Sequence, residues 1–573
     1  MRTLLALCAG GGAKPGYPKL GYHRAVSGYY VENFGCRATQ ADGAALERQF
    51  EERGLDRAET PAQASVVVMN TCTVTAGADQ DARAAIRRVR RQNPDARIVV
   101  TGCYAQRAPE EIAALPGVSL VIGNSHKHRL AEIVGAQTPT SGPGLRTSDP
   151  SFVPLGMLGT ISQLSHRRSG SEHSRGTPQS EVRGPASHPP PNADEQGPIF
   201  VSDIFAHTEL LAAPVFDAAN ERTRPNLKVQ DGCDNRCSFC VIPFVRGQSR
   251  SLEIDRILRE VNGLVESGYR EVVISGINLG RWGRDFDGFR LPADGFRTSL
   301  TDSHDEFRKP GAGSRKPTLE NLIHAILAET AIEKLRISSV EPMDWTDELI
   351  ALVASSPRIA KHAHVPMQSG SDAVLRRMHR KYRPWHYREK IEKIRAAMPT
   401  AAIGADVMVG FPGESDAEFE ATRRMIEELP FTYLHVFTYS ARPGTPAAAM
   451  KNQVPVQVAR ERNRILRELA SEKKLAFMRG FVGRALDVIT LSVLGIDSTG
   501  EFTEALTDNY LKLRLRGRHD PNRWLRAEID DVVDGALVGG ISQVAVELGY
   551  LPPREWMRRM RGDAVVNERQ GKE

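Results

Sequence analysis

The chain has 573 residues, 40% of them hydrophobic and 25% charged, with 76 Lys and Arg against 70 Asp and Glu for a formal net charge of +6. That is the composition of a soluble globular protein of two to four domains. It contains no apolar run of about 18 residues, so no membrane span is expected. An odd count of seven cysteines in so long a chain argues against a disulfide scaffold and for a reduced, cytoplasmic setting. The mild basic excess permits a nucleic-acid partner without requiring one.

Residues 1–25 read as a dispensable extension. Their apolar stretch, about seven residues, is at the lower limit for an export signal, and Cys8 has no partner in the patterns that follow. Residues 26–134 show a parallel βαβ rhythm. Apolar runs at Gly28–Phe34, Val66–Met69 and Arg97–Val100 alternate with helical patterns at Gly43–Arg53 and Gln80–Gln92. A cysteine follows each run: Cys36, Cys72 and Cys103. Ligand sites in parallel sheets sit at the carboxyl ends of strands, and a buried inert cysteine would fall within an apolar run, so the three are expected to share a ligand site. Residues 135–222 are poor in apolar side chains and rich in Pro, Gly and Ser, the composition of a disordered linker.

Strand and helix patterns alternate again over 223–475. Strands are expected at Leu227–Gln230, Glu271–Ser275, Lys334–Ser338, Ala363–Pro366, Ala405–Val409 and Leu434–Phe437. Helices are expected at Ile254–Glu266, Leu319–Glu329, Asp347–Ser355, Arg388–Ala397 and Asp416–Glu428. Six βα units imply a partial parallel barrel, with residues 285–316 as an insertion of linker-like composition. After a helix at Val456–Phe477, residues 476–546 read as a small all-β barrel, and 547–573 as a charged tail. The fold class is therefore multidomain α/β with a β-barrel at its end. Asn509, Tyr510, Lys512, Arg514, Arg516 and Arg518 interleave with apolar residues, which on a strand places cations on one face, able to meet phosphates.

Directly after the first barrel strand comes Cys233-Asp234-Asn235-Arg236-Cys237-Ser238-Phe239-Cys240. Three thiolates in one loop suit an iron–sulfur cluster or zinc. A structural zinc site takes four protein ligands, and no second Cys pair or nearby His completes one. On a βα barrel this Cys-x3-Cys-x2-Cys spacing resembles the radical S-adenosylmethionine superfamily. Gly35-Cys36-Arg37, Asn70-Thr71-Cys72-Thr73 and Thr101-Gly102-Cys103-Tyr104 resemble the three cysteine motifs of its methylthiotransferases. Ile274-Ser275-Gly276-Ile277-Asn278, Arg336-Ile337-Ser338-Ser339-Val340-Glu341-Pro342, Val365-Pro366-Met367-Gln368-Ser369-Gly370-Ser371 and Val409-Gly410-Phe411-Pro412-Gly413 agree in order. The β module at 476–546 resembles a TRAM RNA-binding domain. Arg37 and Thr39 depart from the Lys and Asn usual in relatives.

Within that family the motifs look most like the branch that converts tRNA N6-threonylcarbamoyladenosine (t6A) at position 37 to its 2-methylthio form. The isopentenyladenosine (i6A) branch is the nearest alternative, and the branch acting on a ribosomal-protein aspartate is more distant. The resemblance implies two [4Fe-4S] clusters. Cys233, Cys237 and Cys240 would hold the one that cleaves S-adenosylmethionine reductively to a radical able to attack the adenine C2–H. Cys36, Cys72 and Cys103 would hold one that carries the inserted sulfur, and a second S-adenosylmethionine would supply the methyl group. Phe239, Gly276, Asn278, Ser339, Glu341, Gly410, Phe411 and Gly413 are candidate cofactor contacts. Arg246 and Arg250 are candidates for a carboxylate or phosphate, or else a solvated pair. The implied partners are the tRNA anticodon loop, an electron donor such as flavodoxin or ferredoxin, and a sulfur donor.

Overall fold

The computed structural model describes residues 28–136, 197–207, 210–211, 214–215, 224–286, 317–497 and 500–542. The expectations placed on residues 1–25, Cys8, most of the 135–222 linker, nearly all of the 285–316 insertion and the 547–573 tail lie outside the described residues.

The first module is a parallel sheet of six strands: β1 Gly28–Asn33, β2 Asp56–Arg57, β3 Val66–Thr71, β4 Arg97–Gly102, β5 Val118–Gly123 and β6 Ile199–Phe200, in the order β2-β1-β3-β4-β5-β6. Both faces are covered, as parallel sheets require. Val67, Met69, Ile98 and Val100 meet Ala82, Ile86 and Val89 of α2 (Ala76–Gln92). On the other face Val68, Val99 and Ile122 meet Leu46 and Phe50 of α1 (Arg37–Glu51) and Leu130 and Ile133 of α5 (Leu130–Ala136). Two short helices, α3 (Cys103–Arg107) and α4 (Pro109–Ala113), lie between β4 and β5. The strands at β1, β3 and β4 match expectation. β5 and β6 were not anticipated, and β6 corrects the linker assignment. Its segment, Pro198-Ile199-Phe200-Val201, is an apolar island at the end of a polar stretch, and it pairs in parallel with β5.

The second module carries β7 (Pro214–Val215), β8 (Asn226–Asp231), α6 (Ile242–Arg246), β9 (Arg250–Ser251), α7 (Ile254–Glu266), β10 (Glu271–Gly276), α8 (Leu319–Glu329), β11 (Lys334–Ile337), α9 (Asp347–Ser355), β12 (His362–His364), α10 (Asp372–Arg377), α11 (Pro384–Ala397), β13 (Ala402–Val409), α12 (Asp416–Glu428) and β14 (Tyr433–Thr438). β8, β10 and β11 form one parallel set and β12, β13 and β14 another. Parallel bridges Leu335↔Ile359 and Ser339↔His364 join them. The result is an incomplete barrel of six parallel strands in chain order, as the sequence implies, packed on one apolar core with its helices. Capping boxes at Thr318 and Ser415 start α8 and α12, which is why those helices begin where the sequence puts them.

Helix α13 (Val456–Arg479) leads into β15 (Ala485–Asp497), β16 (Gly500–Thr507), β17 (Lys512–Arg516), β18 (Trp524–Val533) and β19 (Ala536–Ile541), a closed barrel in the order β15-β16-β17-β19-β18. Its β16–β17 turn reaches into the second module. Asn509 Nδ2 donates to the Thr400 carbonyl at 2.8 Å, and the Asp508 carbonyl accepts from Arg336 Nη1 at 3.1 Å. Among the described residues no helix is long and apolar enough to cross a membrane.

Candidate active site

The register of the first sheet gathers its three cysteines. Asn33 pairs with Asn70, and Thr71 pairs with Gly102, so Cys72 and Cys103 leave neighbouring strands at the same level, while Cys36 caps α1 just beyond β1. The approach is close enough to demand glycine. At Gly35 (φ +100°) a Cβ would sit 2.6 Å from the Cys72 Cβ, and at Gly102 (φ +98°) 2.3 Å from the Thr71 carbonyl oxygen. Cys72 and Cys103 are buried and Cys36 is exposed. Burial, then the neighbouring Cys103, pushes the Cys72 thiol up to about 12.

The second set is held by polar side chains that no sequence pattern singles out. At the end of β8, Gln230 Nε2 donates to the carbonyls of Asp231 and Gly232 and to Ser249 Oγ, each at 2.9 Å, while its Oε1 accepts from the Asn278 backbone N–H at 2.7 Å. One amide thus fixes the start of the cysteine loop to the end of β10. Ser238 fixes its middle: its Oγ donates to the Arg377 carbonyl at 2.7 Å and its N–H to the Met378 carbonyl at 3.1 Å. Asn278 Nδ2 lies 3.7 Å from Cys233 Sγ, and Arg380 Nη1 donates to Cys237 Sγ at 3.3 Å. Burial pushes the Cys233 thiol up to about 11 and Cys240 up to about 12.

Three thiols are a donor set suited to an iron–sulfur cluster. Burial opposes the thiolate form, so a metal centre that binds here must supply the positive charge that deprotonates these thiols. The Oδ1 of Asn278, buried at the same rim, has no partner.

A cavity of about 710 Å³ connects the modules. Its lining includes Cys36, Cys233, Cys237, Cys240, Phe239, Asn278, Glu341 and Gln368. It also includes Arg37, Arg336, His362 and Tyr433, which gather around Tyr510. Glu341 is paired with Arg380. His362 shares a 2.7 Å hydrogen bond with Tyr433 Oη, and burial, then the charges of Arg336, His364 and Arg37, holds its imidazole well below the ordinary histidine value.

A family model for the Radical SAM superfamily matches residues 227–426, and one named Uncharacterized protein family UPF0004 matches residues 28–123. The Threonylcarbamoyladenosine tRNA methylthiotransferase MtaB of Bacillus subtilis is 33% identical over 486 residues, 85% of this chain and 90% of that protein. The MtaB of Aquifex aeolicus is 32% identical, over 87% of this chain and 99% of that protein. The chain belongs to the radical S-adenosylmethionine tRNA methylthiotransferases. A sister member, the tRNA-2-methylthio-N(6)-dimethylallyladenosine synthase of Novosphingobium aromaticivorans, is 30% identical over 80% of this chain and 86% of that protein. Among solved structures, the radical S-adenosylmethionine methyltransferase TsrM of Kitasatospora setae is 17% identical with a TM-score of 0.43, covering 73% of this chain and 76% of that one. Membership in the superfamily implies a [4Fe-4S] cluster and S-adenosylmethionine.

Several expected contacts fall elsewhere. Phe239, Gly276, Asn278, Ser339 and Glu341 line the cavity, but Gly410, Phe411 and Gly413 do not. Phe411 is fully buried beneath Phe239, 6.4 Å between ring centroids. Gly410 (φ +73°) is small because a Cβ would meet Ala459 of α13 at 2.6 Å, and the Gly413 N–H (φ +74°) donates to the Asn452 carbonyl. Arg246 and Arg250 are buried rather than solvated. Arg246 Nη1 lies 3.0 Å from both Asp231 carboxylate oxygens, and Nη2 3.0 Å from Asp42. Lys228 joins Asp42 and Asp231, and Lys127 reaches Asp42 at 3.0 Å. This five-residue ionic cluster clamps α1 of the first module to β8 of the second. Asn509 is buried in its turn, and Tyr510 lines the cavity, so neither belongs to a phosphate-facing strand. On β17 the outward alternation is as expected, but Arg516 pairs with Asp530 at 2.6 Å and Arg514 with Asp534 at 3.4 Å and Asp497 at 3.7 Å.

Proposed function

We propose that this enzyme adds a methylthio group to C2 of t6A at position 37 of tRNA, using a [4Fe-4S] cluster on Cys233, Cys237 and Cys240 and a second on Cys36, Cys72 and Cys103. The observation that carries this reading is one cavity lined both by Cys36 of the first set and by Cys233, Cys237 and Cys240 of the second. A two-step insertion of sulfur and methyl needs both sets to reach one substrate atom. The bound cluster and S-adenosylmethionine supply one-electron chemistry suited to the adenine C2–H, which has no usable acidity.

The chain's own residues do the rest. Arg380 donates to Cys237 and pairs with Glu341, which fixes the rim on the barrel side. Gln230 and Ser238 hold the cysteine loop against β10 and α10. Phe239 presents an aromatic face into the cavity, suited to an adenine. Burial between modules keeps water from the reacting atoms. The C-terminal barrel acts as a TRAM-like RNA-binding module, with Lys512 and Arg518 free of carboxylate partners among the described residues for phosphate contact. A base in the anticodon loop can be turned into the cavity without breaking a duplex. An electron donor of the flavodoxin or ferredoxin kind and a sulfur donor complete the requirements.

The test is nucleoside mass spectrometry. Anaerobically reconstituted enzyme, S-adenosylmethionine and reductant are incubated with tRNA carrying t6A and, separately, i6A. A methylthio product on t6A alone supports the proposal. A product on i6A alone assigns the chain to the sister branch, and no product on either, with both clusters verified by iron and sulfide content, removes the tRNA reading.

A further inference from the structure

We infer that the part of the cavity lining gathered around Tyr510 is a receptor for the threonyl carboxylate of the substrate nucleoside, with Arg37 and Arg336 as its cations and Tyr510 of the C-terminal barrel as the residue that positions Arg37. This rests on the t6A reading above and adds to it the residues that tell t6A from an apolar N6 substituent.

The wall is built for an anionic, hydrogen-bonding guest. Arg336 is 1% exposed, and two of its three nitrogens are committed: Nε to Glu271 at 2.7 Å and Nη1 to the Asp508 carbonyl. Its Nη2 is buried without a partner, and the residue lines the cavity. Arg37 has no carboxylate within ion-pair distance among the described residues. Its guanidinium is held instead by a neutral group, with Nη2 donating to Tyr510 Oη at 3.1 Å. Gln368 Oε1, on another residue of the cavity lining, is likewise buried and unpartnered. Buried polar groups without partners are rare in native folds and are explained when a ligand supplies the missing half. A carboxylate answers the two guanidinium groups, and a carbamoyl N–H or hydroxyl answers the Gln368 acceptor. A dimethylallyl group answers none of them, and a site built to hydrogen-bond its substrate rejects an analogue lacking those groups strongly.

Tyr510 makes the C-terminal barrel part of the site. Its backbone is left-handed (φ +70°), a sparsely populated region for a bulky residue. The turn is held there by Asn509 on Thr400 and by Thr507 Oγ1 on Asn509. The ring lies under the Arg336 guanidinium, 5.3 Å to its centroid, and 4.9 Å from the His362 ring. A residue held in a strained conformation to aim a phenol at an unpaired cation is a positioning device.

The experiment uses the full, cluster-loaded enzyme with S-adenosylmethionine. Fluorescence anisotropy measures binding of three anticodon hairpins identical except at position 37: t6A, t6A with its carboxylate capped as the methylamide, and i6A. Wild type is expected to bind the t6A hairpin about ten- to a hundredfold more tightly than the capped one, the range of one or two charge-assisted hydrogen bonds. Arg37→Gln, at an exposed position, is expected to erase that preference while binding the capped hairpin as wild type does. Tyr510→Phe keeps the ring and is expected to raise KM for the t6A hairpin with little change in kcat. Equal binding of t6A and capped hairpins by an enzyme that methylthiolates t6A overturns this inference and leaves the substrate standing. So does an Arg37→Gln variant that loses both hairpins equally, the signature of a phosphate contact. Methylthiolation of i6A alone overturns the substrate and the receptor together.

Discussion

Asp42→Asn is the sharpest test of how the first two modules are joined. Asp42 is one of two carboxylates that offset three buried cations, Lys127, Lys228 and Arg246. All five residues are at most 6% exposed. Burial alone would raise the Asp42 carboxyl, but Lys127, Lys228 and Arg246 outweigh it and hold it below the ordinary carboxylate range. Removing one partner from a buried ionic group costs about 3–5 kcal/mol. Asparagine keeps the shape and one acceptor, so the lower end, about 3 kcal/mol, is expected. With a denaturant slope of about 2–3 kcal/mol/M the urea midpoint falls by about 1–1.5 M. Because the native carboxyl is held low, its contribution is fully present above the unfolded value of about 3.9 and fades as pH falls through the native one. The wild-type and variant midpoints are therefore separated by a constant amount between pH 5 and 8 and converge in acid. In a double-mutant cycle with Lys127→Met the two changes couple by at least about 1 kcal/mol. Additivity within about 0.5 kcal/mol, or a midpoint gap that widens in acid, refutes the reasoning.

Cys237→Ala is expected to abolish methylthio product and remove one cluster's iron and sulfide while leaving hairpin binding within about twofold, read by metal analysis and anisotropy on the same preparation. Gly35→Ala, whose Cβ would meet the Cys72 side chain, is expected to deplete iron at the other cysteine set and to lower the urea midpoint by the equivalent of about 1–3 kcal/mol. Gly404→Ala would drive a methyl into the Tyr433 ring, 1.9 Å from its Cζ. Overpacking there costs about 1–3 kcal/mol, and the displaced ring raises KM for tRNA more than it lowers kcat. On the C-terminal barrel, Lys512→Ala and Arg518→Ala each reduce the slope of log K against log salt by about 0.7–0.9, while Arg516→Ala, whose charge already answers Asp530, reduces it by less. Equal slopes for all three would refute the assignment.

What could be read in the sequence was local. Cysteines just beyond apolar runs, and the helical patterns at Leu319–Glu329, Asp347–Ser355 and Asp416–Glu428, are local signals, and the structure reproduces them. What escaped was assembled from distant positions. Asp42, Lys127 and Arg246 come from different elements and meet Lys228 and Asp231 of β8, and no periodicity links them. β6 is two residues long and stands alone after a polar stretch, so composition assigned it to the linker. Tyr510 followed the alternation of the basic strand, yet Asp508-Asn509 are turn formers, and that signal marks where β16 ends and the chain turns into the cavity. Gly410 and Phe411 sit at a strand end where a cofactor contact is reasonable. The deciding fact, the approach of α13, lies some fifty residues later in the chain.

Arg336 ties the C-terminal barrel to the second module. Its guanidinium is paired with Glu271 on β10, capped by the Asp508 carbonyl, and stacked on Tyr510. Two of those three contacts come from one turn of the C-terminal barrel. A shift of that turn would leave a buried cation short of a hydrogen bond, a costly state, and would carry Tyr510 out of the cavity lining. The barrel therefore has one favoured seat. Under the proposed function, the module that would grip RNA would also complete the lining against which the modified base would rest, so docking of the RNA and placement of the base would be coupled through a single set of contacts.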